Sequence, residues 1–127
     1  MQLTKNFSKE EFDCHCGCEM PSLVLSNVSL LASQLEILRD CFGTPIHVNS
    51  GYRCIDHNKS IGGAAKSQHL LGKAADIVVE NYEPEYVADN TEYLIEVGEL
   101  SIMGLGRYNT FTHVDIRDSK TLIKWEI

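Results

Sequence analysis

One carboxylate constrains this chain more than any other residue. Asp76 stands inside the run Ala74-Ala75-Asp76-Ile77-Val78-Val79, which otherwise reads as an apolar strand. Burying a carboxylate in such a strand is costly unless it is paired or bound to a cation. Any fold that buries this strand must therefore bring a partner to Asp76. The plain solutions are a buried salt bridge or a place at the strand end. A third solution is a metal ion, and two histidines make it worth weighing.

His69 lies just upstream, in Ser67-Gln68-His69-Leu70-Leu71-Gly72, and Gly72 supplies the tight turn between it and Asp76. His113 lies near the C-terminus, in Phe111-Thr112-His113-Val114-Asp115. Taken singly, His69 reads as a loop histidine and His113 as a satisfied core histidine. Together, two imidazoles and one carboxylate form a three-ligand set with a fourth position open, the arrangement of catalytic rather than structural zinc. Water at such a position loses a proton near neutral pH. Imidazole and carboxylate also suit other divalent ions. His113 and Asp115 are two apart on a strand and share a face. Asp115 is thus placed to fix the tautomer of His113.

Arg53 leaves another strand after Ser50-Gly51-Tyr52. An arginine grips a carboxylate with two parallel hydrogen bonds that lysine does not reproduce. The alternative is an ordinary surface salt bridge. Ser67 either contacts substrate or holds its own loop.

The 127 residues suffice for a single domain, 1–127, with a modest core. A hydrophobic fraction of 43% and a charged fraction of 23% exclude a disordered chain. The formal net charge of −7 leaves no basic footprint for nucleic acid or anionic lipid. No apolar run reaches membrane-spanning length, so no membrane partner is expected. The N-terminal residues lack the apolar stretch of a secretory signal, so synthesis in the cytoplasm is expected, with action elsewhere depending on release. A monomer is expected.

Five cysteines, Cys14, Cys16, Cys18, Cys41 and Cys54, are an odd number and cannot all pair within the chain. Cys14-His15-Cys16-Gly17-Cys18 invites a metal reading, but its one-residue gaps are not those of zinc fingers. Reduced or partly paired thiols are the preferred expectation, and a structural metal the lesser one. Cys41 is expected to pack as a small apolar residue at a helix end.

The pattern of elements predicts an α+β domain with a mostly antiparallel sheet and helices on one side. Ser8-Lys9-Glu10-Glu11-Phe12 predicts a capped helical turn. A helix capped by Ser26 or Asn27 carries Leu30, Leu31, Leu35, Ile37 and Leu38 and ends at Gly43. Pro45 to Ser50 predicts a strand, Asp56 to Ile61 a short helix, and Ala74 to Val79 a second strand. Pro84 opens a helix running to about Val97. Ile102–Tyr108 and Phe111–Arg117 predict two strands joined at Asn109, and Leu122–Ile127 an edge strand.

The motifs Ser50-Gly51-Tyr52-Arg53, Asn58, Gly62-Gly63-Ala64, Ser67-Gln68-His69, Gly72, Ala74, Asp76 and His113-Val114-Asp115 together resemble the zinc D-alanyl-D-alanine carboxypeptidases and L-alanyl-D-glutamate endopeptidases. That family is related to lysostaphin-type peptidases and to the zinc domain of hedgehog proteins. The likeness runs from about Phe7 to Arg117. It implies a fold of the hedgehog and D-Ala-D-Ala peptidase type. It also implies a Zn2+ ion held by His69, Asp76 and His113, with Arg53 and Ser67 binding substrate. The implied activity is a metallopeptidase acting on the peptide stems or crosslinks of peptidoglycan. Short forms of this kind resemble phage and prophage wall peptidases, acting on the cell wall after release or as virion components.

One departure stands out. The family commonly carries its catalytic base as an acid three residues before the last ligand, or a histidine two before it. Here those positions are Thr110 and Phe111. Asp115 is the nearest substitute base and His47 a weaker one. Asp115 could equally orient a ligand or pair with Arg117. The same departure keeps open a second reading, a zinc-containing binding or structural module without catalysis.

Overall fold

The computed structural model describes residues 1–127. Ser8 and Glu11 form the expected capping box around a short 3-10 turn, Lys9–Phe12, with Ser8 N–H donating to the Glu11 carboxylate at 2.7 Å. Helix α1 then spans Ser22–Phe42. It begins before the expected caps because those side chains are used otherwise. Asn27 donates to the Leu71 carbonyl at 2.8 Å, and Ser26 donates back to the Ser22 carbonyl. Gly43 ends the helix in the left-handed conformation, as expected.

The face that α1 buries is Val28, Leu31, Ala32, Leu35, Leu38 and Phe42. Leu30, expected on that face, is 62% exposed, and Ile37 is also exposed. The 3.6-residue period carries Leu31 inward and therefore turns its neighbour Leu30 away. Each fully buried leucine contributes about 1.5–3 kcal/mol, so the register through Leu31, Leu35 and Leu38 prevails.

The remaining elements are β1 (Ile46–Ser50), α2 (Ile55–Ser60), a 3-10 turn at Gln68–Leu71, β2 (Ala74–Val79), α3 (Pro84–Glu96), β3 (Gly104–Arg107), β4 (Thr112–Asp115) and β5 (Ile123–Glu126). The strands form one sheet in the order β1-β2-β4-β3-β5. Three pairings are antiparallel and only β3–β5 is parallel. The expected α+β architecture with a mostly antiparallel sheet is present, and β5 is an edge strand. No helix is long and apolar enough to cross a membrane.

Alternation along the strands sorts the residues between two faces. Ala75, Ile77 and Val79 of β2 and Val114 of β4 join the core with α1 and with Val87 and Ala88 of α3. Thr112 donates to the Pro84 carbonyl at the start of α3. Helices thus cover this face. Asp76, His113 and Asp115 project from the other face, and register does the rest. Ser50 pairs with Asp76, Asp76 with His113, His113 with Gly106, and Gly106 with Trp125. One cross-strand row therefore reads Ser50-Asp76-His113-Gly106-Trp125 over all five strands.

Candidate metal centre

Asp76 and His113 are direct neighbours across β2 and β4, and both are less than a tenth exposed. His69 reaches the same point from the 3-10 turn before β2. Ser67 Oγ accepts from His69 N–H at the start of that turn, and Gly72 closes its end. Asp76 Oδ1 lies 3.2 Å from His69 Nε2 and 3.0 Å from His113 Nδ1. All three side chains that the sequence singled out thus come together.

The outer nitrogen of each ring is held as a donor. His69 Nδ1–H donates to the Gly51 carbonyl at 2.7 Å. His113 Nε2–H donates to Asp115 Oδ2 at 2.7 Å. These bonds fix the neutral tautomers with both remaining lone pairs aimed at Asp76 Oδ1. Three acceptors facing one another are mutually repulsive unless a proton or a cation lies between them. Ligands about 2 Å from a tetrahedral metal are about 3.3 Å apart, close to the 3.2 Å and 3.0 Å that separate Asp76 Oδ1 from the two ring nitrogens. The donor set and its geometry therefore fit a divalent cation.

Electrostatics agree. Burial pushes the Asp76 pKa up, but hydrogen bonds and charge from His113 and His69 outweigh it and hold the carboxyl well below the usual range. Burial lowers the His113 pKa, but bonds to Asp115 and Asp76 raise it further than burial lowers it. The site is built to attract positive charge.

Arg53 also arrives. It donates to Asp76 Oδ2 at 3.2 Å, to Ser50 Oγ at 3.1 Å and to Asn58 Oδ1 at 3.4 Å. It thereby orients Asp76 so that Oδ1 faces the two rings, while still lining the adjoining cleft. Ser67 lines the cleft as well, with its hydroxyl engaged as the cap of the turn that carries His69.

Asp115 was expected as a base, as the partner orienting His113, or as a pair for Arg117. It is fully buried, does not line the cleft, and lies behind His113. Arg117 donates to both its oxygens, each at 2.8 Å. Burial raises the Asp115 pKa, but bonds from Arg117 and His113 hold it well below the usual carboxylate range. A carboxylate so engaged is a poor proton acceptor. Its geometry is that of the partner orienting His113, one of the roles its position on the strand allowed. His47, the weaker candidate for base, sits exposed on β1 beside Glu80 and outside the cleft.

The cleft has a volume of about 500 Å³. Tyr108, Phe111 and Trp125 line one part of it. Tyr108 and Phe111 stack with centroids 4.4 Å apart, and Trp125 Nε1–H donates to the Tyr108 hydroxyl at 3.0 Å. Trp125 also packs 5.0 Å from the His113 ring, and the Arg117 guanidinium lies over the Trp125 ring at 5.2 Å. No motif in the sequence marked Tyr108, Phe111 and Trp125 as a wall of the cleft. A signal was present in Gly104-Leu105-Gly106, whose glycines lie on the site face of β3. A Cβ at Gly104 would lie 2.2 Å from the Asp115 oxygens, and one at Gly106 2.7 Å from the Trp125 ring.

Comparison with known proteins points the same way. The family model for peptidase M15 matches residues 5–115. A stretch of 53 residues is 38% identical to the zinc D-Ala-D-Ala carboxypeptidase of Streptomyces albus G. That stretch covers 41% of this chain and 21% of that protein, so the chain spans about a fifth of the length of this curated relative.

Proposed function

The chain belongs to the peptidase M15 family, and on that premise we propose that it is a zinc metallopeptidase hydrolysing peptide bonds of bacterial peptidoglycan stems or crosslinks. The observation that carries the reading is the convergence of His69 Nε2, His113 Nδ1 and Asp76 Oδ1 beside an open cleft. These three atoms are the proposed ligands. A zinc ion held by them would supply Lewis-acid chemistry for the scissile carbonyl and for a water at neutral pH.

The protein's own residues supply the rest. The Gly51 carbonyl and Asp115 hold the two imidazoles in the ligating tautomers, and Arg53 holds Asp76. The chain as a whole is acidic, yet the cleft is lined by Arg53, Lys66 and Arg117 with Asp76 as its one carboxylate. Arg53 is paired with Asp76 and Arg117 with Asp115, which leaves Lys66 as the unpaired cation, suited to a substrate bearing free carboxylates, as wall peptides do. Arg53 and Ser67 are proposed to contact this substrate. The aromatic side chains offer a flat apolar surface for the peptide stem.

The absence of a free carboxylate in the cleft favours a second reading, a zinc-bearing module that binds wall peptide without cutting it. One experiment separates the two. Purified protein with measured zinc content is incubated with stem peptides ending in D-alanine and with crosslinked wall fragments, and the products are analysed by mass spectrometry. Cleavage of a defined bond, lost on chelation, is expected. Intact substrates in the presence of fully zinc-loaded protein would establish the non-catalytic module instead. Action on the wall from outside the cell that makes the protein, as a phage lysis or entry factor, remains part of this proposal.

A further inference from the structure

Cys14, Cys16 and Cys18, on one short loop, come together with Cys54, which is distant from them in sequence. Their sulfur atoms all lie within 4.8 Å of one another. Three of the separations are 3.4 Å for Cys14–Cys16, 3.8 Å for Cys14–Cys54 and 3.6 Å for Cys16–Cys54. None of these thiols is in a disulfide. The one-residue gaps between the first three looked unlike a zinc motif because the fourth sulfur comes from the start of α2.

We propose that these four cysteines bind a second, structural zinc ion. Four thiolates about 2.3 Å from a tetrahedral zinc are about 3.8 Å apart, close to the observed separations. Backbone amides also point at the sulfurs. Cys54 N–H donates to Cys14 Sγ and His57 N–H donates to Cys54 Sγ, each at 3.4 Å. Such bonds stabilise negative charge on sulfur. Gly17, with φ of 83°, closes a turn in which its N–H donates to the Cys14 carbonyl at 3.0 Å, so that Cys18 folds back toward Cys14 and Cys16. Simple apolar packing does not account for the cluster. Cysteines that pack as hydrophobes are buried, whereas Cys16 is exposed and Cys18 and Cys54 are only half-buried. Soft thiolates in a closed four-coordinate set suit zinc and leave no position for water.

The role follows from what the cysteines join. Cys54 follows Arg53 directly, and Gly51 holds His69. Tyr52 N–H donates to the Phe12 carbonyl at 2.8 Å, and Arg53 N–H donates to the His69 carbonyl at 3.0 Å. A zinc ion at the sulfurs pins the loop after Phe12 to the segment that carries Arg53 and the Gly51 carbonyl.

Metal analysis of the full chain, purified with a thiol reductant, tests this separately from the site on the sheet. Two zinc ions per chain are expected. His69→Ala and His113→Ala should each retain one, Cys16→Ser and Cys54→Ser should each retain one, and Cys41→Ser should retain two. Cobalt-loaded His69→Ala should show a sulfur-to-metal charge-transfer band that Cys54→Ser lacks. Should a cysteine variant not fold, the wild type gives a second readout. Alkylation should modify Cys41 readily and the other four only after chelation. A single zinc that disappears with His69→Ala and is untouched by Cys16→Ser would overturn the proposal. So would recovery of the four thiols as disulfides from protein isolated without reductant. A single zinc lost only from the cysteine variants would sustain it and would overturn the sheet site instead.

Discussion

His69, Asp76 and His113 are held by a sheet and by a turn abutting it, and each is less than a tenth exposed. Cys14, Cys16 and Cys18 lie on a loop between a 3-10 turn and α1, and only Cys14 is buried. The first cluster offers three donors and an open side toward a cleft. The second offers four and closes on itself. The number of donors sets what each can do: three leave room for a reacting molecule, and four serve only to hold the chain. Precision differs as well. Strand pairing fixes Asp76 and His113 as direct neighbours, whereas the thiols rely on one another and on whatever they bind.

The largest expected effect tests the difference between the two clusters. His113→Ala removes a donor from the three-donor set, and with it the proposed cation, whose Lewis acidity would supply several kcal/mol of transition-state stabilisation. Loss of roughly a thousandfold or more in kcat/KM is expected, with one zinc retained at the cysteines. Kinetics on a wall peptide with parallel metal analysis checks both halves. Full metal content with undiminished activity would remove His113 from the centre.

A smaller effect sharpens the account of how the sheet cluster is oriented. Asp115→Asn should lower metal affinity by about 10–100-fold, the usual consequence of altering a ligand's orienting partner. If Asp115 were instead the base, kcat would fall while metal affinity stayed unchanged. Stability gives a second readout. The folded-state pKa of Asp115 is depressed, chiefly because Arg117 and His113 outweigh burial. Its contribution is therefore complete above the ordinary value of 3.8 and is lost as pH falls toward the folded value. Denaturation of the wild type and of Asp115→Asn should differ at neutral pH, and the gap should narrow below about pH 4.

The two clusters were also unequally legible in the sequence. Asp76 announced itself because an apolar strand tolerates a carboxylate poorly, and His113 and Asp115 declared a shared face by their spacing. Strand periodicity likewise located β2, the alternation in β1, and the edge position of β5. Cross-strand register was not legible, because it depends on pairings between distant segments. The row that places Trp125 beside Gly106 and His113 was therefore missed, and the full burial of Asp115 with it, although its pairing with Arg117 was legible from their spacing. The start of α1 was misplaced because Asn27 looks like a cap until the Leu71 carbonyl is seen to take its amide. The cysteines failed for the same reason as the row. Three donors in one short loop suggest little until the fold delivers Cys54.

The smallest expected effect concerns a residue outside both clusters. His47 lies on β1, which contributes Ser50 to the row, so proximity in sequence to the site made it a candidate base. Its ring is 61% exposed and faces Glu80 at 3.4 Å. An exposed pair of this kind contributes little, since water screens the charges and ordering the side chains costs entropy. Pairing opposite Val78 also sets it away from Asp76, which pairs with Ser50 at the other end of the strand. His47→Gln should therefore change stability by no more than about 0.5 kcal/mol. It should leave kcat/KM within about twofold, because 1.36 kcal/mol corresponds to a factor of ten. A pH–rate profile of this variant is the discriminating measurement. An unchanged profile is expected. Loss of its acidic limb would bring His47 into proton transfer and would mean that the catalytic conformation moves β1 toward the cleft.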